Sequence, residues 1–298
     1  MKMVLKVGST GELVRILQEL LEIKVDGIYG NVTWRAVKHF QQKSGLLQDG
    51  IVGPLTWKAL KFNPREANID TDREKYENWI ESYHLPENEY VDKETSKYYI
   101  VNHHTAGREN PYKTIDHWAN DNRGRVGTNY VIGGISTDGS KIEYDGKILQ
   151  SINDEYYGWH IGPGGSFYLK EHSLSIEVCS AGGLRNVNGI WKTWFGEEVE
   201  YSQVCELKKP FRGYRAFQKY SEEQLKSLKA VWLYLANKHN INIREGMQDW
   251  MINNKNPFDW HIDAYSGKTK GMLNHTNLRK DKSDMFPQPE LLDLIRSI

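Results

Sequence analysis

The spacing of apolar residues divides the chain into a short helical segment and a longer segment with alternating strands and helices. The first helix is predicted by apolar residues that recur every three or four positions: Leu13, Val14, Leu17, Leu20 and Leu21. From Tyr98 onward, short β-rich runs alternate with helical spacing. This order predicts an α/β fold with a mixed sheet flanked by helices, preceded by a small three-helix domain.

An internal repeat defines the N-terminal segment. Residues 26–37 and 49–60 share the pattern Asp-Gly-Ile-x-Gly followed by Thr-Trp. Each copy predicts a tight Asp-Gly turn and then a helix. Thr33 and Thr56 are predicted near the helix starts, where a hydroxyl can accept a bond from a free backbone N–H. We assign residues 1–62 to this domain.

The C-terminal segment, residues 98–298, contains the predicted sheet. Its predicted elements are strands at residues 98–102, 129–132 and 173–178, a hairpin of residues 141–144 and 147–152, a helix at residues 114–120, and a long helix after the capping box of Ser221 and Gln224. Residues 185–216 interrupt this pattern with many aromatic residues, and we expect an ordered flap beside the functional site.

Residues 63–97 connect the two domains. This charge-rich stretch contains Pro64 and Pro86 as breakers of regular structure. Within it, residues 72–83 place Tyr76, Trp79 and Ile80 on one helical face. We therefore expect a linker with a helix that packs on the second domain.

The composition of the chain excludes some classes of protein. The chain has 298 residues with 39 basic and 39 acidic side chains, which argues against a nucleic-acid-binding protein. Its apolar runs are shorter than a bilayer span, and its N-terminus lacks the apolar core of a signal peptide. We expect a monomer made in a cytoplasm without insertion into a membrane. Cys179 and Cys205 are expected to be reduced.

Candidate metal ligands lie at both ends of the C-terminal segment. His103 ends a predicted strand, and His275 and Asp284 lie close together near the C-terminus. Two imidazoles and a carboxylate are a ligand set of catalytic zinc, with one coordination position left open. Neighbours on a strand face opposite sides, so His104 is an alternative to His103. His261 is a rival ligand on spacing.

Two charged residues suggest hydrolytic chemistry beside this site. Glu177 lies among apolar residues of a predicted strand and is a candidate general base. Lys282 could stabilise a developing oxyanion. In the alternative interpretation, Glu177 points to solvent and Lys282 forms an ordinary surface pair with Asp284.

Two family resemblances extend this interpretation. Residues 8–60 resemble the peptidoglycan-binding type 1 domain through the repeated Asp-Gly, Thr-Trp and Phe40-Gln41 positions. Residues from about 98 to 290 resemble zinc-dependent N-acetylmuramoyl-L-alanine amidases of the type 2 amidase and peptidoglycan-recognition-protein superfamily. The matching segments are residues 100–107, 128–134, 159–160 and 175–177, and His275 with Lys282 and Asp284.

The resemblance implies roles for individual residues. It selects His103 over His104 as the zinc ligand, with His275 and Asp284, and it makes Lys282 catalytic. Many relatives carry a tyrosine where this chain has Thr128, and this difference favours Glu177 as the acid/base. The candidate substrate-binding residues are Thr128, Asn129 and His160.

The implied activity is hydrolysis of the amide bond between N-acetylmuramic acid and L-alanine in peptidoglycan. The combination with a binding domain resembles a phage endolysin, which stays in the host cytoplasm until it is released and then acts on the cell wall. A bacterial autolysin or a virion-carried wall-degrading enzyme would show the same combination of domains. Three further alternatives concern the activity itself. They are a muropeptide-binding recognition protein without activity, an endopeptidase that cuts the stem peptide on the same fold, and a structural zinc site.

Overall fold

A computed structural model describes residues 4–62, 79–122, 124–162 and 166–298. The chain divides into two compact units, Met1–Glu77 and Asn78–Ile298. Within the described residues, no helix is both long and apolar enough to cross a membrane.

The N-terminal unit contains the expected three helices. They are α1 (Glu12–Leu20), α2 (Asn31–Lys43) and α3 (Pro54–Ala59). Their apolar faces meet in one core, whose buried members are Leu5, Val14, Leu17, Tyr29, Val37, Val52 and Trp57. The predicted three-helix domain is therefore present.

The repeat is visible as a buried polar network that occurs twice. In the first copy, the Gln18 amide donates to the Asp26 carboxylate at 2.7 Å and to the Thr33 hydroxyl at 2.9 Å. In the second copy, the Gln41 amide donates to Asp49 at 2.9 Å and to Thr56 at 3.3 Å. Since a buried polar group left without a partner is costly, each glutamine fixes the turn that precedes its neighbouring helix.

The capping role predicted for the two threonines was wrong. The caps of α2 and α3 are Gly30 and Gly53, and neither helix start has a side-chain cap bond. The Thr33 hydroxyl instead donates to the Ile28 carbonyl at 3.1 Å. The threonines therefore stabilise the turns and not the helix ends.

The C-terminal unit is built on a six-stranded sheet in the order β1-β4-β3-β5-β2-β10. The strands are β1 (Ile80–Ser82), β2 (Tyr99–His104), β3 (Tyr130–Ile132), β4 (Ile148–Gln150), β5 (Ser173–Val178) and β10 (Gly271–Asn274). All neighbouring pairs are parallel except β3 with β4, so the predicted mixed sheet is confirmed.

Helices cover both faces of this sheet. They are α4 (Pro111–Ala119), α5 (Phe167–Glu171), α6 (Glu222–His239), α7 (Met247–Ile252), α8 (Ile262–Tyr265), α9 (His275–Leu278) and α10 (Pro289–Arg296). Ile115 of α4 shares a core cluster with Val131 of β3. On the other face, the Trp232 indole of α6 donates to Asn102 at 2.7 Å. The capping box predicted at Ser221 and Gln224 starts α6.

The structure contradicts the predicted hairpin of residues 141–152. Only Ile148–Gln150 forms a strand, and it pairs with β3 and β1. The Asp145-Gly146 turn packs against the start of α6, because the Asp145 carboxylate accepts a bond from the Ser221 hydroxyl. Residues 143–146 form this turn, with the Lys147 N–H donating to the Tyr144 carbonyl at 2.9 Å, so the first predicted strand of the hairpin is absent.

The helix predicted over residues 72–83 is also wrong in the part that the structure describes, residues 79–83. Residues 72–78 lie outside the described residues. Ile80–Ser82 forms strand β1, which pairs in parallel with β4. An edge strand of three residues has too short a pattern to show a period.

The aromatic insertion forms a second sheet. It contains β6 (Gly183–Val187), β7 (Ile190–Lys192), β8 (Val204–Phe211) and β9 (Tyr214–Gln218), in the antiparallel order β7-β6-β9-β8. Leu184, Val199 and Ala216 form its own small core. The expected flap is thus a compact antiparallel sheet.

Candidate metal centre and active site

Backbone pairing brings the distant candidate ligands together. Strands β2 and β10 are parallel neighbours, and Asn102 pairs with Asn274. His103 follows Asn102 within β2, and His275 follows Asn274 as the first residue of α9, so both histidines lie at the carboxyl edge of the sheet. The carboxyl edge of a parallel sheet is a usual place for a functional site.

A side chain of β10 positions the third candidate ligand. The Asn274 amide donates to the Met285 carbonyl at 2.9 Å, and the Met285 N–H donates to the Asn274 oxygen at 2.7 Å. Both bonds are buried. They hold the returning chain beside β10, so the preceding residue, Asp284, faces the two histidines.

The three candidate ligands converge on one point. His103 Nδ1 lies 3.0 Å from His275 Nδ1 and 3.3 Å from Asp284 Oδ2. His275 Nδ1 lies 2.8 Å from the same carboxylate oxygen. Ligand atoms around a tetrahedral zinc ion are about 3.3–3.6 Å apart, so these separations are close to those that a metal requires. The cluster of His103, His275 and Asp284 could hold a metal ion.

The Nε2 atoms of His103 and His275 are engaged in hydrogen bonds, which leaves both Nδ1 atoms free to bind a metal. His275 Nε2 lies 3.2 Å from the Ile161 carbonyl, which can only accept, so this nitrogen carries the proton. His103 Nε2 lies 3.0 Å from His160 Nδ1, and His160 Nε2 lies 2.7 Å from the Ser173 hydroxyl. The Ser173 hydroxyl donates to the Lys170 carbonyl at 3.3 Å. A consistent chain therefore runs from His103 through His160 to Ser173, and such partners orient metal ligands.

The electrostatics of the cluster also suit a cation. Burial lowers the pKa of His103 to about 4 and keeps its ring neutral. Burial alone would raise the pKa of Asp284, but His275 and His103 lower it well below the usual range. Neutral imidazoles and an ionised carboxylate are the protonation states in which these groups bind metals.

The competing candidates lie elsewhere. His104 faces the opposite side of β2, where its Nδ1 lies 2.8 Å from the Tyr220 hydroxyl. His261 stacks on Trp250 with ring centroids 3.8 Å apart. Cys179 and Cys205 are free thiols outside the cluster. Within the described residues, only one group of three or more candidate ligands has the geometry for a metal, and it offers no fourth protein ligand.

Glu177 and Lys282 are both linked to this site, Glu177 by strand register and Lys282 by its charge. Glu177 is the register partner of His103 in the parallel pair β2–β5, and it keeps part of its surface exposed. Burial and the nearby Asp284 raise the pKa of Glu177 well above its usual range, whereas the Lys282 charge opposes this shift. Among the described residues, the Lys282 ammonium has neither a hydrogen-bond nor an ion-pair partner.

The structure does not support Thr128 and Asn129 as substrate-binding residues. Both side chains are buried, and Asn129 has no exposed surface. The Asn129 side chain accepts bonds from the Ser175 backbone and hydroxyl, at 3.1 and 3.0 Å. The Thr128 hydroxyl donates to the Tyr130 carbonyl at 2.9 Å. Asn129 therefore ties the start of β3 to β5, the Thr128 hydroxyl bonds within its own segment, and neither side chain presents a free group to a ligand.

His160 was expected to bind substrate, but in the structure its side chain contacts a candidate metal ligand. It is 9% exposed and bonds to His103, so it supports the cluster from the side. Sequence reasoning did not identify Ser173 and Asn274, which complete the surroundings of the ligands. Neither residue belongs to a recognisable motif, because each acts through a contact with a distant part of the chain.

The inserted sheet contacts the loops that follow the two histidine strands. The Trp194 indole donates to the Ala106 carbonyl at 2.6 Å. The Arg212 guanidinium donates to the carbonyls of Lys280 at 2.6 Å and Thr276 at 3.3 Å. Because these loops lead away from His103 and His275, the sheet lies beside the candidate site.

Two family models match the chain. The N-acetylmuramoyl-L-alanine amidase model matches residues 94–270, and the peptidoglycan binding domain model matches residues 10–60. The first match includes His103 and Glu177 but ends before His275. No curated protein matches the chain.

Solved structures show weaker similarity. An endolysin N-acetylmuramoyl-L-alanine amidase from Clostridium intestinale is 14% identical, with 73% of this chain and 93% of that chain covered and a TM-score of 0.39. A mutant structure of PlyL is 14% identical, with 72% and 95% covered and a TM-score of 0.42. A Burkholderia AP3 phage endolysin is 36% identical over 26% of this chain and only 32% of its own, with a TM-score of 0.19. These scores are too low to support a functional conclusion.

The assignment of the chain to a family rests on the family models. The amidase match covers more than half of the 298 residues. The chain therefore belongs to the N-acetylmuramoyl-L-alanine amidase family.

Proposed function

We propose that this protein is a zinc-dependent hydrolase that cleaves the amide bond between N-acetylmuramic acid and L-alanine in peptidoglycan. The observation that carries this proposal is the convergence of His103, His275 and Asp284 within 3.3 Å of one another, beside Glu177. The family assignment supports the identity of the bond that is cut.

The donor set fits zinc. Two neutral imidazoles and one carboxylate would hold the ion and leave a coordination position open, as in other hydrolytic zinc sites. Two Nδ1 atoms that approach the same carboxylate oxygen are also easier to reconcile with a shared cation than with two competing protons. When bound, zinc would supply Lewis acidity that acidifies a water molecule and polarises the scissile carbonyl.

Glu177 has the properties of a general acid and base. Burial and Asp284 raise the pKa of Glu177 above its usual range, so its carboxylate binds a proton more readily than an ordinary glutamate does. We propose that Glu177 accepts the proton of the attacking water and then donates it to the leaving amine. Its position beside His103 on a rigid strand supports this role.

Lys282 has the properties of an electrostatic stabiliser. Its ammonium has no ion-pair partner among the described residues, and its charge opposes the raised pKa of Glu177. We propose that it stabilises the negative charge that develops on the carbonyl oxygen. A fixed cation at such a position lowers the transition-state energy without reorganising solvent.

The N-terminal domain is proposed to keep the enzyme on its polymer. Binding at one site raises the effective concentration of the other site on the same strand. A wall-binding domain joined to a wall-cutting domain is typical of enzymes that lyse a host, and we propose a phage endolysin role. In that role, the protein reaches the cell wall from the host cytoplasm after release.

Digestion of purified peptidoglycan tests the activity. We expect new L-alanine amino termini, which disappear when a chelator removes the metal and return when zinc is added. New amino termini on other residues would instead indicate an endopeptidase, and new reducing ends would indicate a glycosidase. Binding without cleavage would indicate a recognition protein.

A further inference from the structure

A cavity of about 560 Å³, largely open to solvent, lies in the inserted sheet and does not include the metal cluster. The lining residues that matter here are Arg185, Asn186, Trp191, Arg212, Tyr214 and Arg215. The chain as a whole has no net charge, so three arginine side chains in one cavity are a local excess of positive charge. The volume lies within the range of about 300–1,000 Å³ that is usual for small-ligand pockets.

Strand register places like charges side by side in this cavity. Leu184 of β6 pairs with Ala216 of β9, so the next residues along the two strands, Arg185 and Arg215, lie next to each other. Arg185 also pairs with Lys192 of β7. Like charges on adjacent strands are unfavourable unless an anion compensates them.

Acidic side chains of the protein neutralise only part of this positive charge. Lys192 forms an ion pair with Glu198 at 3.3 Å. Among the described residues, Arg185 and Arg215 have no hydrogen-bond or ion-pair partner, and both are exposed. Two guanidinium groups therefore remain available for an anionic ligand.

Arg212 connects this cavity to the candidate active site. It occupies the two-residue turn between β8 and β9, where Arg212 and Gly213 have φ values of 49° and 88°. Its guanidinium donates to the Lys280 and Thr276 carbonyls. Thr276 directly follows the ligand His275, so one wall of the cavity lies against the loop that carries the metal ligands.

We propose that this cavity binds a free carboxylate of the stem peptide of peptidoglycan, next to the amide bond that is cut. The proposal rests on the proposed amidase function. A planar guanidinium matches a carboxylate through two parallel hydrogen bonds, and arginine is better suited to this pairing than lysine. Trp191 and Tyr214 supply apolar surface for the aliphatic part of the peptide.

The shape of the cavity favours a peptide group over a polyanionic polymer. A polymer with repeated phosphodiesters is bound by a stripe of cations that follows its backbone. Here the unpaired charges, Arg185 and Arg215, lie together in one cavity and do not form an extended stripe.

Calorimetric titration of the zinc-loaded full chain tests the proposal. The probe is the synthetic stem tripeptide L-Ala-γ-D-Glu-L-Lys, which lacks the scissile bond, and the comparison is the same peptide with its carboxylates amidated. We expect Arg185→Gln and Arg215→Gln each to weaken tripeptide binding about tenfold, because each removes a charge-assisted pair. Neither substitution should change binding of the amidated peptide.

Lys208→Gln is the matched control, because Lys208 is an exposed cation of the same sheet outside the cavity. It should bind the tripeptide like the unmodified protein. Equal affinity for the two peptides, unchanged affinity in both arginine variants, or arginine-dependent binding of polyglycerol phosphate in place of the tripeptide would overturn the proposal.

A parallel digestion of peptidoglycan separates the two proposals. Cleavage without carboxylate-dependent binding would overturn the cavity assignment and leave the amidase intact. Arginine-dependent binding of the tripeptide without cleavage would support the cavity assignment and contradict the amidase activity.

Discussion

His103 and Glu177 are register partners on the adjacent parallel strands β2 and β5. Side chains of paired residues project from the same face of a sheet, so a candidate metal ligand and a candidate acid/base group lie next to each other through main-chain hydrogen bonds alone. This placement on rigid elements favours the precise geometry that catalysis needs. The start of α9 supplies His275, and the loop after this helix supplies Lys282 and Asp284.

Replacement of Glu177 by glutamine should remove the acid/base group and keep the shape of the side chain. We expect the rate of L-alanine release to fall by about 10²–10⁴, the range usual for general acid–base catalysis. Zinc content should stay unchanged, because Glu177 is not part of the ligand cluster. Glu200→Gln, at an exposed position, is the control and should keep full activity. Near-full activity of Glu177→Gln would contradict the assignment.

Replacement of Lys282 by methionine should remove the stabilising charge. We expect kcat to fall by about 10²–10³ with a smaller change in KM, as for loss of one oxyanion contact. Lys280→Met is the control, because the Lys280 ammonium lies over the Trp260 ring, 4.3 Å from its centroid, and not at the site. Steady-state kinetics on a soluble muropeptide would measure both. Equal losses in the two variants would argue against a specific role for Lys282.

Replacement of His160 should loosen the metal site without removing a ligand. His160→Phe deletes the partner of His103 Nε2, and we expect zinc affinity to fall by about 10–100-fold. His160→Gln keeps an acceptor and should retain more of the affinity. Competition with a chromophoric chelator measures both values. If the two variants bind zinc as tightly as the unmodified protein, the orienting role of His160 is wrong.

Acid should weaken the fold through Asp154. This buried carboxylate accepts bonds from Lys238 at 2.6 Å, His239 at 3.2 Å and Tyr130 at 2.5 Å. Burial opposes ionisation, but hydrogen bonds and the Lys238 charge lower the net pKa of Asp154. Its stabilising contribution is therefore complete above the unfolded pKa of about 3.9 and is lost as the pH falls through the lower folded pKa.

Asp154→Asn tests this pH dependence. At pH 7, we expect the free energy of unfolding of the C-terminal unit to fall by about 1–3 kcal/mol, because the substitution removes charge-assisted hydrogen bonds to a buried carboxylate. The difference from the unmodified protein should shrink as the pH drops below about 4. Asp293→Asn, which breaks an exposed pair with Arg296, should cost less than about 1 kcal/mol. A difference that does not change with pH would contradict the argument.

Local patterns were sufficient where the structure depends on neighbours along the chain. The repeat predicted the N-terminal helices, and the capping box at Ser221 predicted the start of α6. The predicted hairpin is absent because residues 141–144 form no strand and Ile148–Gln150 pairs with β1 and β3 from other parts of the chain. A turn dipeptide indicates a change of direction but not which segments pair on either side of it.

The sequence by itself determined the residue types of the site, the repeat and the mixed α/β fold, because these depend on composition and on short-range spacing. Only the tertiary structure decided which side chains meet. The parallel pairing of β2 with β10 and β5 brings His103 to His275 and Glu177, and the Asn274 contacts with Met285 add Asp284. Such contacts join residues that are far apart in the chain, and their stability comes from the packing of the whole sheet, which no local pattern encodes.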